Sequence, residues 1–310
     1  MIVSASYKTD IPTFYGEWFV RRLRAGFCGM INPYNRQTYR VNLDRESVDG
    51  FVFWTKNVGP FLTYLPEVQQ RGFPFVVQYT INAFPRALET SVVDWELSVE
   101  TAWRVRETYG RRALVWRYDP ILFSTLTPAE YHVESFAQLA ERLDGATDEV
   151  VVSFAQIYKK TKRNLAMAAG DAGFEWRDPG PEEKRTLLSR LLEIARRHRM
   201  QLAVCSQREL LVEGTEDARC VDARRLADIA GGSLSTRLKG NRKDCGCYES
   251  RDIGEYDTCP HGCVYCYAVA NRELALNRYR AHNPDSEFLF EPQRVISRPS
   301  GHHQLPLFGK

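Results

Sequence analysis

The sequence alternates apolar, β-prone runs with amphipathic stretches, and this alternation limits the possible folds more than any other feature. Runs that predict strands occupy residues 2–6, 50–55, 73–80, 114–118, 149–154 and 201–204. Stretches that predict helices occupy residues 13–25, 59–70, 92–109, 128–143 and 182–199, and the basic residues 159–164 (KKTKRN) are predicted as a loop. Near-continuous apolar strands between amphipathic helices are typical of a parallel sheet covered by helices. The prediction is an α/β fold, specifically an incomplete (β/α)6 TIM-like barrel.

The alternation is predicted to stop near Glu213, which divides the chain into three regions. Residues 1–204 are predicted as the partial barrel, residues 205–290 as a cysteine-rich cap, and residues 291–310 as a flexible tail rich in Pro, Gly, Ser and His. In barrels of this kind the chemistry lies at the carboxyl ends of the strands. The polar residues predicted to lie there are Thr9, Asp10, Lys56, Asn57, Asn82, Asp119, Gln156 and Cys205. Loops are polar in most proteins, so no single one of these residues indicates a site. The prediction of a site rests on the recurrence of polar residues after every predicted strand.

Composition predicts a cytoplasmic protein. No run reaches the length of about 18 apolar residues that a membrane helix needs, and the first residues do not resemble a signal peptide. The net charge of +3 and the pI near 8.4 permit an acidic partner such as DNA without indicating one. In a reducing compartment, clustered cysteines indicate metal or redox chemistry before disulfides.

Five of the eight cysteines lie between residues 244 and 271, and three of these have the spacing C-x3-C-x2-C. These three are Cys259, Cys263 and Cys266. Zinc binding would need a fourth ligand, for which His261 is the nearest candidate but would have to fold back sharply. A 4Fe-4S cluster held by three cysteines instead leaves one iron open to another ligand, and this is the favoured interpretation.

Four other cysteines are numerous enough to ligate a second, auxiliary cluster. They are Cys205, Cys220, Cys245 and Cys247. Three alternatives stay open: Cys205 is simply buried, Cys245 or Cys247 belongs to the first site, or Cys28 replaces one member. Cys28 alone is predicted to be a small buried apolar residue.

The run CPHGCVYCYA at residues 259–268 resembles the cluster motif of radical S-adenosylmethionine (SAM) enzymes, and most closely the spore photoproduct lyase branch. Thr9-Asp10-Ile11-Pro12 and Thr55-Lys56 resemble two strand-end turns of that branch. In the branch these turns follow the cluster motif, whereas here they precede it, so the chain resembles a circular permutant. The run from residue 252 to 268 also resembles an uncharacterised family known only as a domain of unknown function.

The resemblance implies a radical SAM enzyme of lyase or repair type, with an iron–sulfur cap over the barrel. One 4Fe-4S cluster would bind SAM and, after reduction by a donor such as flavodoxin or ferredoxin, release a 5′-deoxyadenosyl radical. The residues implied to contact the cofactor are Ser4, Ser6, Asp10, Lys56 and Tyr265. The glycine-rich turn with which the superfamily binds SAM has no recognisable counterpart, so these positions follow only from their place in the chain.

The tail carries the peptide Gln304-Leu305-Pro306-Leu307-Phe308, which resembles the motif that binds the bacterial sliding clamp. With the lyase resemblance, it predicts a role on DNA in repair or modification. Residues proposed to contact DNA are Lys159, Lys160, Lys162, Arg163, Trp54, Tyr118 and Tyr158. The alternatives are a radical enzyme acting on a peptide or small metabolite, and a non-catalytic, metal-stapled binding protein associated with DNA.

Overall fold

The computed structural model describes residues 1–32, 35–234, 236–240 and 244–291. The predicted clamp-binding peptide lies outside these residues. The strands are β1 (Ile2–Ala5), β2 (Phe27–Ile31), β3 (Thr38–Asn42), β4 (Gly50–Thr55), β5 (Phe75–Thr80), β6 (Leu114–Ile121), β7 (Phe123–Ser124), β8 (Glu149–Phe154), β9 (Trp176–Arg177), β10 (Gln201–Val204), β11 (Glu216–Asp217) and β12 (Ser250–Asp252). The helices are α1 (Ile11–Phe14), α2 (Gly16–Ala25), α3 (Leu65–Gln70), α4 (Trp95–Tyr109), α5 (Ala129–Leu143), α6 (Lys159–Ala172), α7 (Pro181–Arg197), α8 (Ala223–Ala230) and α9 (Arg272–Arg280).

The centre of the molecule is an eight-stranded sheet with the order β11-β10-β8-β6-β5-β4-β1-β12. Every pair in it is parallel. The order follows the chain except for β12, which comes last in sequence but lies beside β1. Because the strands are parallel, their carboxyl ends meet at one edge of the sheet. An α/β fold with a parallel sheet is thereby confirmed.

One face of the sheet carries the main hydrophobic core, which packs under α2, α4, α5 and α7. Side chains alternate between the two faces along a strand, so every second residue faces the other way. The opposite face begins with an apolar layer of Ile2, Val52, Val76, Val115, Val151 and Ala203, against which Leu226 of α8 packs. Two positions nearer the carboxyl edge, the same face carries Ser4, Trp54, Gln78, Arg117, Ser153 and Cys205. A polar layer therefore lies between the apolar floor and the carboxyl edge.

The six predicted strands are confirmed as β1, β4, β5, β6, β8 and β10. Outside the main sheet, β2 and β3 form an antiparallel pair. The predicted boundary at residue 204 falls inside the sheet, because β11 and β12 belong to it as well. None of the described helices is long and apolar enough to span a membrane.

Two local predictions are wrong. The basic residues 159–164 begin α6 instead of forming a loop, since Lys and Arg favour helices and Thr161 and Leu165 supply a buried side. The alternation of strand and helix also continues past Glu213, through β11 and α8. The strand there was missed because β11 has only two residues, both acidic.

Candidate metal and cofactor site

The C-x3-C-x2-C loop reaches the carboxyl edge of the sheet because β12 delivers it there. Asp252, the last residue of β12, lies in register with Ser4 of β1. Beyond the strand, the Ile253 N–H donates to the Ser4 carbonyl over 3.0 Å, and the Val264 N–H donates to the Leu88 carbonyl over 3.1 Å. The loop is thus tied to β1 just before its cysteines and to the segment after β5 between its second and third cysteines.

The three cysteines of this loop form a compact turn. The Cys266 N–H donates to the Cys263 carbonyl over 3.1 Å, and Gly262 provides the left-handed backbone that the turn requires, with φ of +77°. Backbone N–H groups also point at sulfur: that of Ala268 donates to Cys266 Sγ over 3.3 Å, and that of His261 donates to Cys259. Such donors stabilise thiolates.

The thiols lie close enough together to influence one another's ionisation. Burial raises the pKa of Cys263 well above its ordinary value; the Lys56 ammonium opposes this rise, while Glu89 and the other two thiols add to it. Burial, followed by the Asp10 carboxylate, raises the pKa of Cys259 to about 12. Burial therefore disfavours the thiolate forms, and a bound cation would favour them.

A buried polar network lies directly beneath Cys263. Lys56 Nζ pairs with Glu89 Oε1 over 2.7 Å. The same oxygen accepts from the Tyr265 hydroxyl, and Asn82 Nδ2 approaches it at 3.3 Å. Burial alone would lower the Lys56 pKa, but the charges of Glu89 and Cys263 raise it above its ordinary value. The structure therefore brings the predicted residues Lys56 and Tyr265 together through Glu89.

Asp10 holds the other side of the loop. Its Oδ2 accepts from the Lys56 N–H over 2.7 Å and lies 2.8 Å from Nε2 of His261, while its Oδ1 caps α1 by accepting from the Thr13 N–H over 2.9 Å. The His261 ring is 3% exposed, and its Nδ1 has no hydrogen-bond partner among the described residues. Since Asp10 occupies Nε2, only Nδ1 remains available to a metal.

Ser4 and Ser6 both lie at the carboxyl edge, and both hydroxyls already hydrogen-bond to a side chain of this protein. Their hydroxyls donate to Asp252 over 2.8 Å and 2.9 Å, and the Tyr7 N–H donates to the same carboxylate over 3.1 Å. Lys8 Nζ lies 3.4 Å from it. In this structure the two serines anchor β12, the strand that carries the cysteine loop.

The four cysteines predicted to form the second site also lie close together. They lie on the sheet face opposite the main core, which we call the inner face. Cys220 Sγ lies 3.5 Å from Cys205 Sγ, and thiol contacts continue from Cys220 to Cys247 and from Cys247 to Cys245. The alternatives in which Cys245 or Cys247 joins the first group, or Cys28 joins the second, find no support in these contacts. Cys28 is fully buried in the main core, as predicted for an apolar residue.

Two lysine side chains approach the ring of Tyr256, which precedes the loop cysteines. Lys8 Nζ lies 5.5 Å from the Tyr256 ring centre and Lys160 Nζ lies 5.8 Å from it. Tyr158, which precedes Lys159 in the chain, is 48% exposed, and Tyr267, which follows Cys266, is 42% exposed. We call this set the basic rim: Lys8, Lys159, Lys160, Lys162, Arg163, Tyr158, Tyr256 and Tyr267.

Two of the aromatic residues predicted to contact a base behave differently. Tyr118 is 1% exposed and lies in the main core, where its hydroxyl is 2.9 Å from His132 Nδ1. The prediction that it contacts nucleic acid is therefore wrong. Trp54 belongs to the polar inner layer, donates to Ser4 Oγ over 3.0 Å, and is stacked by Arg117 at 5.0 Å.

The donor set of the loop fits an iron–sulfur cluster. It offers three soft sulfur ligands, N–H donors to sulfur, and the Lys56 ammonium to offset negative charge. No three His, Cys, Asp or Glu side chains in the described ranges already have the geometry to hold a metal ion, so a bound centre would have to turn the thiols inward. Ser4, Ser6 and Asp10, which were predicted to contact SAM, already hydrogen-bond to protein groups. The fit to SAM therefore rests on the coordination position that a cluster with three thiolate ligands leaves open.

Sequence reasoning missed Glu89, Asp252 and Arg117. Glu89 lies in no motif and is 33 residues from Lys56. Asp252 is 246 residues from Ser6, so only the pairing of β12 with β1 brings them together. Arg117 stands in an apolar run, and a charged residue inside such a run was the one available signal for it.

Comparison with known proteins gives a family but no activity. Residues 2–268 match the family described as Domain of unknown function (DUF1848). No curated protein matches the chain. A crystal structure described as a putative alpha-L-fucosidase from Bacteroides thetaiotaomicron shares 11% identity, over 77% of this chain and 85% of that one, with a TM-score of 0.25.

Proposed function

Because the chain belongs to the DUF1848 family, whose function is unknown, we propose an activity from its own residues: iron–sulfur radical chemistry with SAM. The observation that carries the proposal is the three-cysteine loop, which lies at the carboxyl edge of a parallel sheet and supplies three thiols. When bound, the cluster and SAM supply a one-electron cleavage of SAM to methionine and a 5′-deoxyadenosyl radical, the electron coming from a donor such as flavodoxin or ferredoxin.

The residues of the chain position and shield this chemistry. Glu89 and Asp10 fix the loop from two sides, through Lys56, Tyr265 and His261. Lys56 and Lys160 place positive charge near the thiols, since both lower the pKa of Cys266, although burial raises it overall. These charges favour the thiolate form that a cluster requires.

We further infer that the sheet is an open TIM-like barrel, and that the cysteine loop after β12 acts as its cap, while β11 and β12 themselves belong to the sheet. The consecutive strand order and the placement of α2, α4, α5 and α7 on one face support this inference. The position of β12 beside β1 supports the circular permutation, because the strand that precedes the cysteine loop then takes the place of a first strand. The polar inner layer would face a substrate.

The test of the radical chemistry is product formation by the full chain purified without oxygen. Wild type with reductant and SAM is expected to yield 5′-deoxyadenosine and to contain about four iron atoms for the first cluster. Cys263→Ser is expected to lose both, whereas Cys28→Ala, which removes a thiol outside both groups, is expected to keep both. A wild type with an intact cluster that makes no 5′-deoxyadenosine would refute the proposal.

DNA is the proposed substrate or site of action, and the basic rim is the observation that supports it. Lysines and aromatic rings next to one another bind phosphates and stack on bases. The clamp-binding peptide at residues 304–308 stays a prediction, as does the cytoplasmic location. A peptide or metabolite substrate is the alternative.

DNA binding is tested by fluorescence anisotropy on Lys162→Glu, which changes an exposed residue of the basic rim. Its affinity for single-stranded DNA is expected to fall severalfold, and the slope of log K against log salt by about 1. Arg197→Glu on α7 changes the net charge equally and is expected to bind like wild type. Equal losses in both variants, or no binding by wild type, would favour the peptide or metabolite alternative.

A further inference from the structure

The second cysteine group is built from three separate segments on the face of the sheet opposite the main core. Cys205 directly follows β10, Cys220 follows β11, and Cys245 and Cys247 come from the segment that precedes β12. All four belong to the second hydrophobic cluster or pack against it. The fold therefore brings together four thiols from residues as far apart as 205 and 247. Apolar side chains could fill the same space, so the thiols indicate a role beyond packing.

Two of these sulfurs accept hydrogen bonds from donors that would stabilise a thiolate. Arg117, which is 4% exposed, donates from Nη1 to Cys220 Sγ over 3.0 Å, and the Val221 N–H donates to Cys247 Sγ over 3.4 Å. A buried guanidinium aimed at sulfur compensates the negative charge that thiolates carry when they hold a metal. The Gln78 amide also donates to the Cys220 carbonyl over 2.9 Å, which fixes the backbone of that ligand.

We propose that Cys205, Cys220, Cys245 and Cys247 bind a single tetrahedral metal ion of the zinc class. Two sulfurs that share such an ion, each about 2.3 Å from it, lie about 3.8 Å apart. The observed separation of Cys205 and Cys220 sulfurs is 3.5 Å. Ligands of a cubane each bind a different iron and lie farther apart, so this contact favours one ion over the auxiliary cluster predicted from the sequence.

The ion would fasten Cys220, Cys245 and Cys247 to the end of β10, where Cys205 lies. At present the thiols form a chain of contacts, and an ion would draw Cys245 and Cys205 around a common centre. Arg117 would then connect this centre to the carboxyl edge, because its guanidinium pairs with Asp119. The proposed role is structural: it closes the inner face of the sheet beside the polar layer.

The experiment is metal analysis of the full chain purified anaerobically, with iron and sulfide measured on the same samples. Wild type is expected to contain about one zinc per chain, and Cys247→Ser is expected to lose zinc at least about fivefold with iron unchanged. Cys263→Ser is expected to lose iron and keep zinc, so failure of the proposed radical function and failure of this site are distinguishable. Cys28→Ala serves as the matched control and keeps both metals.

A second measurement does not depend on the folding of a variant. Wild-type chain produced with cobalt in place of zinc is expected to show the intense visible absorption of tetrahedral thiolate-bound Co²⁺. Wild type without zinc or this cobalt spectrum, or Cys247→Ser with undiminished zinc, overturns the proposal. Iron and sulfide sufficient for two clusters, halved by Cys247→Ser, also overturns it in favour of the auxiliary cluster.

Discussion

Lys56 is a largely buried cation that depends on one buried carboxylate. Its side chain is 13% exposed, and that of Glu89 is 5% exposed. Removing one partner of such a pair leaves an uncompensated charge. We expect Lys56→Met to lower the free energy of unfolding by about 3 kcal/mol, as measured by urea denaturation at matched iron content.

The double variant Lys56→Met/Glu89→Gln provides the control for this prediction. It removes the orphaned charge while leaving an amide oxygen for Tyr265 and Asn82, so we expect it to be more stable than Lys56→Met alone. A single variant within about 0.5 kcal/mol of wild type would show that the pair is not a stabilising element.

His132 is a buried neutral base, and it makes stability depend on pH. Its Nδ1 lies 2.9 Å from the Tyr118 hydroxyl and its Nε2 lies 3.0 Å from the Leu122 carbonyl. Burial lowers its pKa from 6.5 to about 4. The unfolded chain therefore takes up this proton first as pH falls, so the stabilising contribution is complete above pH 6.5 and is lost towards pH 4.

We expect wild type to lose about 2 kcal/mol of unfolding free energy from this residue between neutral pH and pH 5. His132→Gln cannot titrate and is expected to show a correspondingly smaller loss over the same interval, in urea denaturation curves recorded at each pH. Parallel pH profiles for the two proteins would refute the assignment, whatever their absolute stabilities.

Residue-scale prediction succeeded where the signal was local. The spacing of Cys259, Cys263 and Cys266 is visible in eight consecutive residues, and the structure places these thiols together. Cofactor contact by Ser4 and Ser6 stays a prediction, and their hydrogen-bond partner Asp252 was missed. A hydrogen bond that spans most of the chain leaves no periodic trace in the sequence.

At the scale of elements, β12 determines where the cysteine loop lies. It has three residues, and Asp252 accepts hydrogen bonds from two hydroxyls and two backbone N–H groups. Asp252→Ala leaves these donors without their acceptor, and we expect a loss of about 3 kcal/mol in urea denaturation. Iron content is expected to fall with it, because the loop loses its anchor.

Glu249, three residues before Asp252, offers a matched control. Its carboxylate makes exposed ion pairs with Arg237 and Lys239, which contribute little to stability. We expect Glu249→Ala to cost less than about 0.5 kcal/mol and to keep its iron. Equal effects of the two substitutions would mean that the Asp252 network does not hold β12 in place.

The elements that could be predicted are those with enough apolar residues to show a period. The strands β4, β5 and β8 each have six residues and almost complete burial, so their runs were unambiguous. The residues Ser-Arg-Asp of β12 carry no such pattern, since an edge strand is specified by its neighbour. The start of α6 was misread because charge was weighed above the buried positions Thr161 and Leu165.

At the scale of the whole molecule, the sequence indicated a permuted order but could not choose the edge of the sheet. A strand before the cysteine loop had two free edges available, beside β1 or beside β11. The choice of β1 depends on long-range contacts, including the bond from the Tyr15 hydroxyl to the Thr258 carbonyl at 2.6 Å. Such tertiary contacts have no local counterpart in the chain.

The same contacts predict that the parallel sheet and the cysteine region unfold together. Trp18 Nε1 donates to the Ser286 carbonyl over 3.0 Å, and Phe288 packs so closely on Gly29 that a Cβ there would lie 2.7 Å from its ring. Buried groups on α2 and β2 thus depend on the last described residues.

We expect hydrogen exchange in urea to show peptides from residues 250–290 and from residues 114–154 losing protection at the same denaturant concentration. Gly29→Ala, which would push Phe288 away, should lower that shared midpoint for both regions because they form one cooperative unit. If the residues 250–290 lose protection at lower urea while β6 and β8 stay protected, the cysteine region is a separate module carried by an independently stable sheet.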